Sequence, residues 1–318
     1  MSAETPNLDL PEPATVSKLL HQMLVEMPRP LFAAMDGALF GDLRGDLLRR
    51  DIARRSLFRE EISSQFVHEG PWLVSLTDDD AVEYVAGLAL AQPCAVFWSC
   101  AEGEEVLWHH LRTINEVQIP ATELPNASET AEGYARVLFR HWDPNVLAGV
   151  MPVLSAAQFA RVFGPAQGIV MNAPDYGGLS RTMRGPNLPL PVKGPLRIEP
   201  AQIERLQDAM VHSSRLRIAR FLRENIPPGF EGINDDFVWG ATLASEPSAD
   251  ELGIVTERGR ARWAYVMLIS DGKAARLQSV RDHITKGSDT PDEQVRTLID
   301  DAAAALRTGQ TVHEEPLS

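Results

Sequence analysis

The hydrophobic pattern of this chain changes period once, and that change limits the folds open to it. Up to about residue 171, short apolar runs of strand length alternate with stretches whose apolar residues recur every three or four positions. The pattern predicts strands at 31–35, 72–76, 94–100, 115–119, 136–141 and 168–171. It predicts helices at 16–26, 54–66, 80–91 and 104–113, and two more opening at Pro144 and Ser155. Alternation of this kind calls for a sheet covered by helices. The stretch 175–195 then carries Gly177, Gly178, Gly185 and Gly194 with Pro186, Pro189, Pro191 and Pro195, a linker composition. Beyond it the reading is almost wholly helical. Residues 200–223 place Ile203, Leu206, Met210, Ile218, Phe221 and Leu222 near one face, and Pro227-Pro228-Gly229 stops the run. Further helices are expected at 235–244, 257–269 and 291–307. The expected fold class is α/β, with a mixed sheet flanked by helices in an N-terminal lobe and a mainly helical C-terminal lobe. Residues 1–27 form an arm with a short helix, 28–190 the α/β domain and 191–318 the helical lobe.

Length and composition narrow the class further. A compact chain of 318 residues buries roughly three quarters of its unfolded surface, so it needs neither disulfide nor metal to hold together. With 44% hydrophobic and 23% charged residues, wholesale disorder is excluded. The formal net charge is −14, and a surface that acidic repels a phosphate backbone. Neither nucleic acid nor an anionic membrane is an expected partner. Two cysteines, Cys94 and Cys100, suit a reducing cytosol better than a disulfide scaffold. Both are expected in one strand, facing the same side. The first residues lack the basic and apolar regions of a secretion signal. The longest apolar stretch, 84–98, is broken by Gln92-Pro93 and is too short to span a bilayer. A cytoplasmic location is expected.

Few residues offer chemistry. Cys94, Cys100, His109 and His110 supply metal-ligating atoms, but their spacing fits no usual zinc arrangement, and no metal is expected. No G-x-S-x-G or phosphate-loop motif is present, so no catalytic residue and no cofactor is assigned. His141 and Asp143 form one acid/base pairing, the basis of an alternative reading as a hydrolase-like enzyme. A structural account competes with it. Asp is a strong helix N-cap and Pro is favoured at the first helical position, so Asp143-Pro144 reads as a strand-to-helix handover. Arg140 then sits near the sheet edge with its guanidinium free to meet a carboxylate. One stretch opposes the global charge: 44–59 holds six arginines against two aspartates. If it is helical, Arg50 and Arg54 share a stripe, as do Arg55 and Arg59, and the face becomes a docking patch for an acidic partner. Arg50, Arg54 and Arg55 are therefore candidate partner-binding residues. Trp98, Arg140 and Trp142 join them, because Trp and Arg anchor interfaces.

The order of the motifs resembles a known family. Leu31-Phe32-Ala33-Ala34-Met35-Asp36-Gly37-Ala38 comes first, then Arg55-Ser56-Leu57-Phe58 and Gly70-Pro71-Trp72-Leu73-Val74-Ser75-Leu76. His110-Leu111-Arg112 follows, and finally Leu138-Phe139-Arg140-His141-Trp142-Asp143-Pro144. Over about 31–171 this is similar to the type VI secretion adaptor family, effector chaperones first catalogued as a domain of unknown function. The Arg-x-x-Asp-Pro piece is its most specific element, and His141 departs from it, standing where an apolar or aromatic residue is more usual. The stretch Leu252-Gly253-Ile254-Val255-Thr256-Glu257, with the helix after it and Asp271-Gly272, resembles the helical tail of such adaptors. The resemblance implies a non-enzymatic cytoplasmic loader. Its partners are a secreted effector protein and the valine-glycine-repeat (VgrG) spike. It also implies structural motif roles for Asp36, His110, Asp143 and Pro144.

Overall fold

The chain was analysed as a computed structural model that describes residues 6, 8–9, 11–58, 70–124, 133–226 and 232–308, with side chains to 304. Two compact units emerge: Pro11–Met210, and Val211–Ser318 together with Met1–Leu10. The Gly/Pro-rich stretch 175–195 thus lies inside the larger unit.

In the larger unit six strands form one sheet. In chain order they are β1 (Leu31–Asp36), β2 (Arg54–Ser56), β3 (Pro71–Leu76), β4 (Ala95–Ser99), β7 (Gly168–Ala173) and β8 (Gly178–Met183). Their spatial order is β2-β3-β1-β4-β7-β8, and every neighbouring pair is antiparallel. β5 (Glu116–Pro120), β6 (Tyr134–Leu138) and β9 (Leu196–Arg197) make a second, small sheet, in which β5 pairs antiparallel with β6 and parallel with β9. The parallel pairing expected of a mixed sheet belongs to this small sheet.

Both faces of the large sheet are covered, which is why β1, β3 and β4 are apolar without alternation and buried throughout. On one face Phe32, Ala34, Val96, Trp98, Ile169 and Met171 pack with residues of α4 (Glu104–Thr113), α5 (Pro144–Val150) and α6 (Ala156–Phe163). On the other, Leu31, Ala33, Met35, Val74 and Phe97 meet Leu20 and Leu24 of α1 (Pro13–Val25) and Val82 and Val85 of α3 (Asp79–Ala91). Neighbouring strand residues go to opposite faces, as the two-residue period requires. Cys94 and Cys100 are free, and they do not share a side. Each lies just outside β4: Cys100 keeps the alternation of Val96 and Trp98 and falls in the first cluster, whereas Cys94, directly after Pro93, departs from it and falls in the second.

Three expectations are corrected in this unit. Residues 54–56 are not helical but form β2, an edge strand in register with Val74, Leu73 and Trp72; residues 59–66 of that expected helix lie outside the described residues. A short helix, α2 (Leu43–Arg49), precedes it, capped by Asp42. The supposed linker supplies β8, which pairs along the whole of β7 after a reversal at Gly177 and Gly178, whose φ values of 94° and 79° suit glycine. Strand 136–141 stops at Leu138, and the chain turns just beyond it, where His141 N–H donates to Phe139 C=O (2.9 Å) and Asp143 N–H to Arg140 C=O (2.9 Å).

The smaller unit is helical. It holds the C-terminal part of α7 (Pro200–Glu224), then α8 (Asp235–Glu251), α9 (Glu257–Ile269), α10 (Gln278–Lys286) and α11 (Pro291–Thr308). One core gathers Leu216, Leu222, Trp239 and Leu268, and a second gathers Leu252, Ile254, Trp263, Ile284 and Val295. Leu8, expected in a loose arm, is buried in the first of these. Helix α8 continues past Pro247 rather than ending at Ala244. The stop expected at Pro227-Pro228-Gly229 lies outside the described residues. No helix among the described residues is long and apolar enough to cross a membrane.

Candidate functional site

The Arg-x-x-Asp-Pro segment meets the Asp-Gly turn at the end of β1, 104 residues away in sequence. Asp36 is the last residue of β1. One carboxylate oxygen accepts from Ala38 N–H (3.1 Å) and holds the turn, and the other receives Arg140 Nη2. The same guanidinium reaches Asp143 Oδ2 at 3.3 Å. Asp143 meanwhile caps α5, its Oδ1 accepting from Asn145 N–H (3.0 Å) and Val146 N–H (3.4 Å). Pro144 opens that helix, where its missing N–H costs nothing. The Asp36 side chain is only 4% exposed, that of Arg140 45%. A buried carboxylate is costly without a charged partner, and the half-exposed arginine supplies it. Burial raises the pKa of Asp143, and Arg140 opposes that rise.

The other signature segments interlock around this clasp. Leu57 N–H donates to Pro71 C=O (2.9 Å), joining the Ser-Leu-Phe segment to β3. Asn115 Nδ2 donates to Leu57 C=O (2.8 Å), and Asn115 Oδ1 accepts from His141 Nε2 (2.9 Å). The ring of Trp142 meets Phe58 edge-on at 5.8 Å. On α4, Trp108 Nε1 donates to Ser56 C=O (2.7 Å), while Arg55 and Arg112 lie over the Trp108 ring at 3.4 and 4.2 Å. His110 donates through Nε2 to Val162 C=O (2.9 Å) and packs onto Gly164. A Cβ on Gly164 would fall 2.2 Å from that ring, and the φ of 55° there also disfavours a side chain.

The sequence-derived residues therefore divide. Asp36, Arg140, Asp143 and Pro144 come together at one point. His141 and Asp143 do not form an acid/base pair: His141 is fully buried against Asn115, and Asp143 is engaged by helix and arginine. Burial holds His141 down at about 3 and His110 down at about 4, so both rings are neutral near neutral pH. Trp98 and Trp142, expected as interface anchors, are core residues at 0% and 2% exposure. Arg50, Arg54 and Arg55 share no helical stripe, because the chain turns at Asp51 and enters β2. Arg50 lies over Tyr84 at 3.9 Å, Arg54 reaches Ile52 C=O (3.4 Å), and Arg55 pairs with Glu105. Arg59 lies outside the described residues. Asn115 and Gly164 were missed. An Asn opening a predicted strand and a Gly following a predicted helix were the only signals.

Cavity space lies elsewhere. A groove of about 760 Å³ in the larger unit is lined by Leu154, Val192, Lys193, Pro195, Arg197 and Arg205. Gln158 and Gln202 at its base exchange two amide hydrogen bonds of 2.9 and 2.8 Å. Among the described residues, no group of three or more His, Cys, Asp or Glu side chains is placed to hold a metal ion.

Residues 31–161 match a family model described as a domain of unknown function (DUF4123). The match starts at the first residue of β1 and ends within α6, so it takes in the clasp and the signature segments around it, and stops just short of Val162 and Gly164, the partners of His110. The chain matches none of the curated proteins and none of the solved structures.

Proposed function

We propose that this protein is a non-enzymatic adaptor of a type VI secretion system. In this reading it holds a secreted effector in the cytoplasm of the producing cell and passes it to the VgrG spike. The observation that carries the reading is the use made of the matched domain's signature residues. Asp36, Arg140, Asp143 and Pro144 close a clasp, and His110 and His141 are neutral and hydrogen-bonded within the fold, His141 fully buried and His110 partly so. These residues shape a scaffold, which leaves recognition to the surfaces it presents. The motif order, the acidic chain and the pair of compact units are in keeping with a protein that grips other polypeptides.

The test is delivery. Deleting the gene should abolish export of one effector while the secretion machine still fires its other cargo, and the tagged protein should co-purify with that effector and with VgrG. Full effector export from the deletion strain would overturn the proposal. So would turnover of a small substrate that the His141→Asn variant, still folded, has lost.

A further inference from the structure

Helix α9 carries three arginines in its first turns, Arg258, Arg260 and Arg262, and they are used unequally. Arg260 pairs with Asp250. On the side facing α7, Glu257 is held by Arg217 in a two-pronged pair, with Nε to Oε1 at 2.8 Å and Nη2 to Oε2 at 2.5 Å. That pairing lowers the Glu257 pKa and occupies both carboxylate oxygens. Arg258 and Arg262 are left: among the described residues neither has an ion pair, a side-chain hydrogen bond or a ring contact. They stand four apart on one helical stripe, an arrangement in which like charges repel. Both line a groove of about 380 Å³ between α7 and α9 whose floor is Ile218, Phe221 and Ala261. The groove's lining is thus three arginines and one already neutralised glutamate, in a chain of net charge −14. The larger groove differs: there Arg197 is engaged with Gln118, and Arg205 with Val153 C=O.

We infer that the α7/α9 groove is a docking site for an acidic amphipathic segment of a partner protein, whose apolar side chain seats on Ile218 and Phe221 while its carboxylates pair with Arg258 and Arg262. An apolar floor alone would accept any greasy side chain. The uncompensated arginine stripe adds the sign of the charge and its spacing, which match acidic residues one helical turn apart. A groove of this volume, at the small end of ligand-binding pockets, holds a few side chains, so the occupant is a segment and not a whole domain. The inference deepens the adaptor reading and rests on it for the occupant being a polypeptide.

The experiment uses the full chain and a fluorescent synthetic peptide of Glu, Leu and Ala, with glutamates one turn apart and a leucine between them. Anisotropy should report saturable binding that weakens steeply up to about 0.5 M salt. The Arg258→Glu/Arg262→Glu variant should lose at least about tenfold in affinity with an unchanged melting temperature, and the Arg258→Lys/Arg262→Lys variant should keep most of it. Replacing the leucine by serine, or the glutamates by lysines, should abolish binding. No binding by the native chain, or equal binding by the charge-reversed variant, would overturn the inference. Two further results would do the same: equally tight, arginine-dependent binding of a short single-stranded RNA, or self-association that the charge reversal removes. Failure here with effector export still dependent on the gene would leave the adaptor reading standing. Peptide binding with export unaffected would do the reverse.

Discussion

The arginines of the clasp and its surroundings and one pair in the helical unit are used in opposite ways, although Arg217 and Arg260 of that unit are themselves paired. In the larger unit Arg140 is committed to Asp36 and Asp143, Arg55 to Glu105 and Trp108, and Arg50 to Tyr84. In the helical unit Arg258 and Arg262 face a groove with no internal partner. Committed charges hold a fold together, because removing one strands another in a poorly solvated place. Uncommitted charges add little to stability and are free to be spent on a partner. The matched domain, on this view, is scaffold, and the uncommitted pair lies outside it, in a region the match does not reach.

The comparison breaks first, if it breaks, under acid. His110 and His141 are neutral in the fold, with pKa values near 4 and 3, against about 6.5 when unfolded. The unfolded chain therefore binds more protons, and their contribution to stability is complete above about pH 6.5 and falls as pH drops towards 4 and then 3. Together the two rings should cost on the order of 4 kcal/mol between pH 7 and pH 4.5, read as a falling urea midpoint. The His110→Asn and His141→Asn variants should each flatten that slope.

Gly164→Val comes next, since the new side chain meets both a forbidden backbone angle and the His110 ring. A loss of about 2–5 kcal/mol is expected, and a change below about 1 kcal/mol would show that the ring moves aside freely. Asp36→Asn should cost about 1–3 kcal/mol and Asp143→Ala about 0.5–2 kcal/mol. Because both act through Arg140, the double variant should depart from additivity by at least about 0.5 kcal/mol. Additive losses would mean the clasp is two independent contacts. The smallest effect belongs to the other region: charge reversal at Arg258 and Arg262 should shift stability by no more than about 0.5 kcal/mol.

Much of the local structure was legible in the sequence. Helices at 104–113 and 257–269 match the observed bounds, because apolar periodicity and flanking turns are local signals. The cap at Asp143-Pro144 was readable for the same reason. The clasp was half legible: Arg140 was expected to find a carboxylate, but nothing nearby in the chain named Asp36. The interface anchors were misplaced because Trp98 and Trp142 look alike in sequence whether they face solvent or core.

The sequence by itself determined where most of the helices and the central strands lie, which class of fold they make, and that this chain is acidic and poor in reactive motifs. These follow from interactions within a few residues of one another. Only the tertiary structure decided that 178–183 is a strand, that Cys94 and Cys100 separate, and which arginines are committed. An edge strand exists because a neighbour offers it a row of hydrogen bonds. A charge is spent or spare according to what lies within a few ångströms, and neither fact is written in the residues beside it.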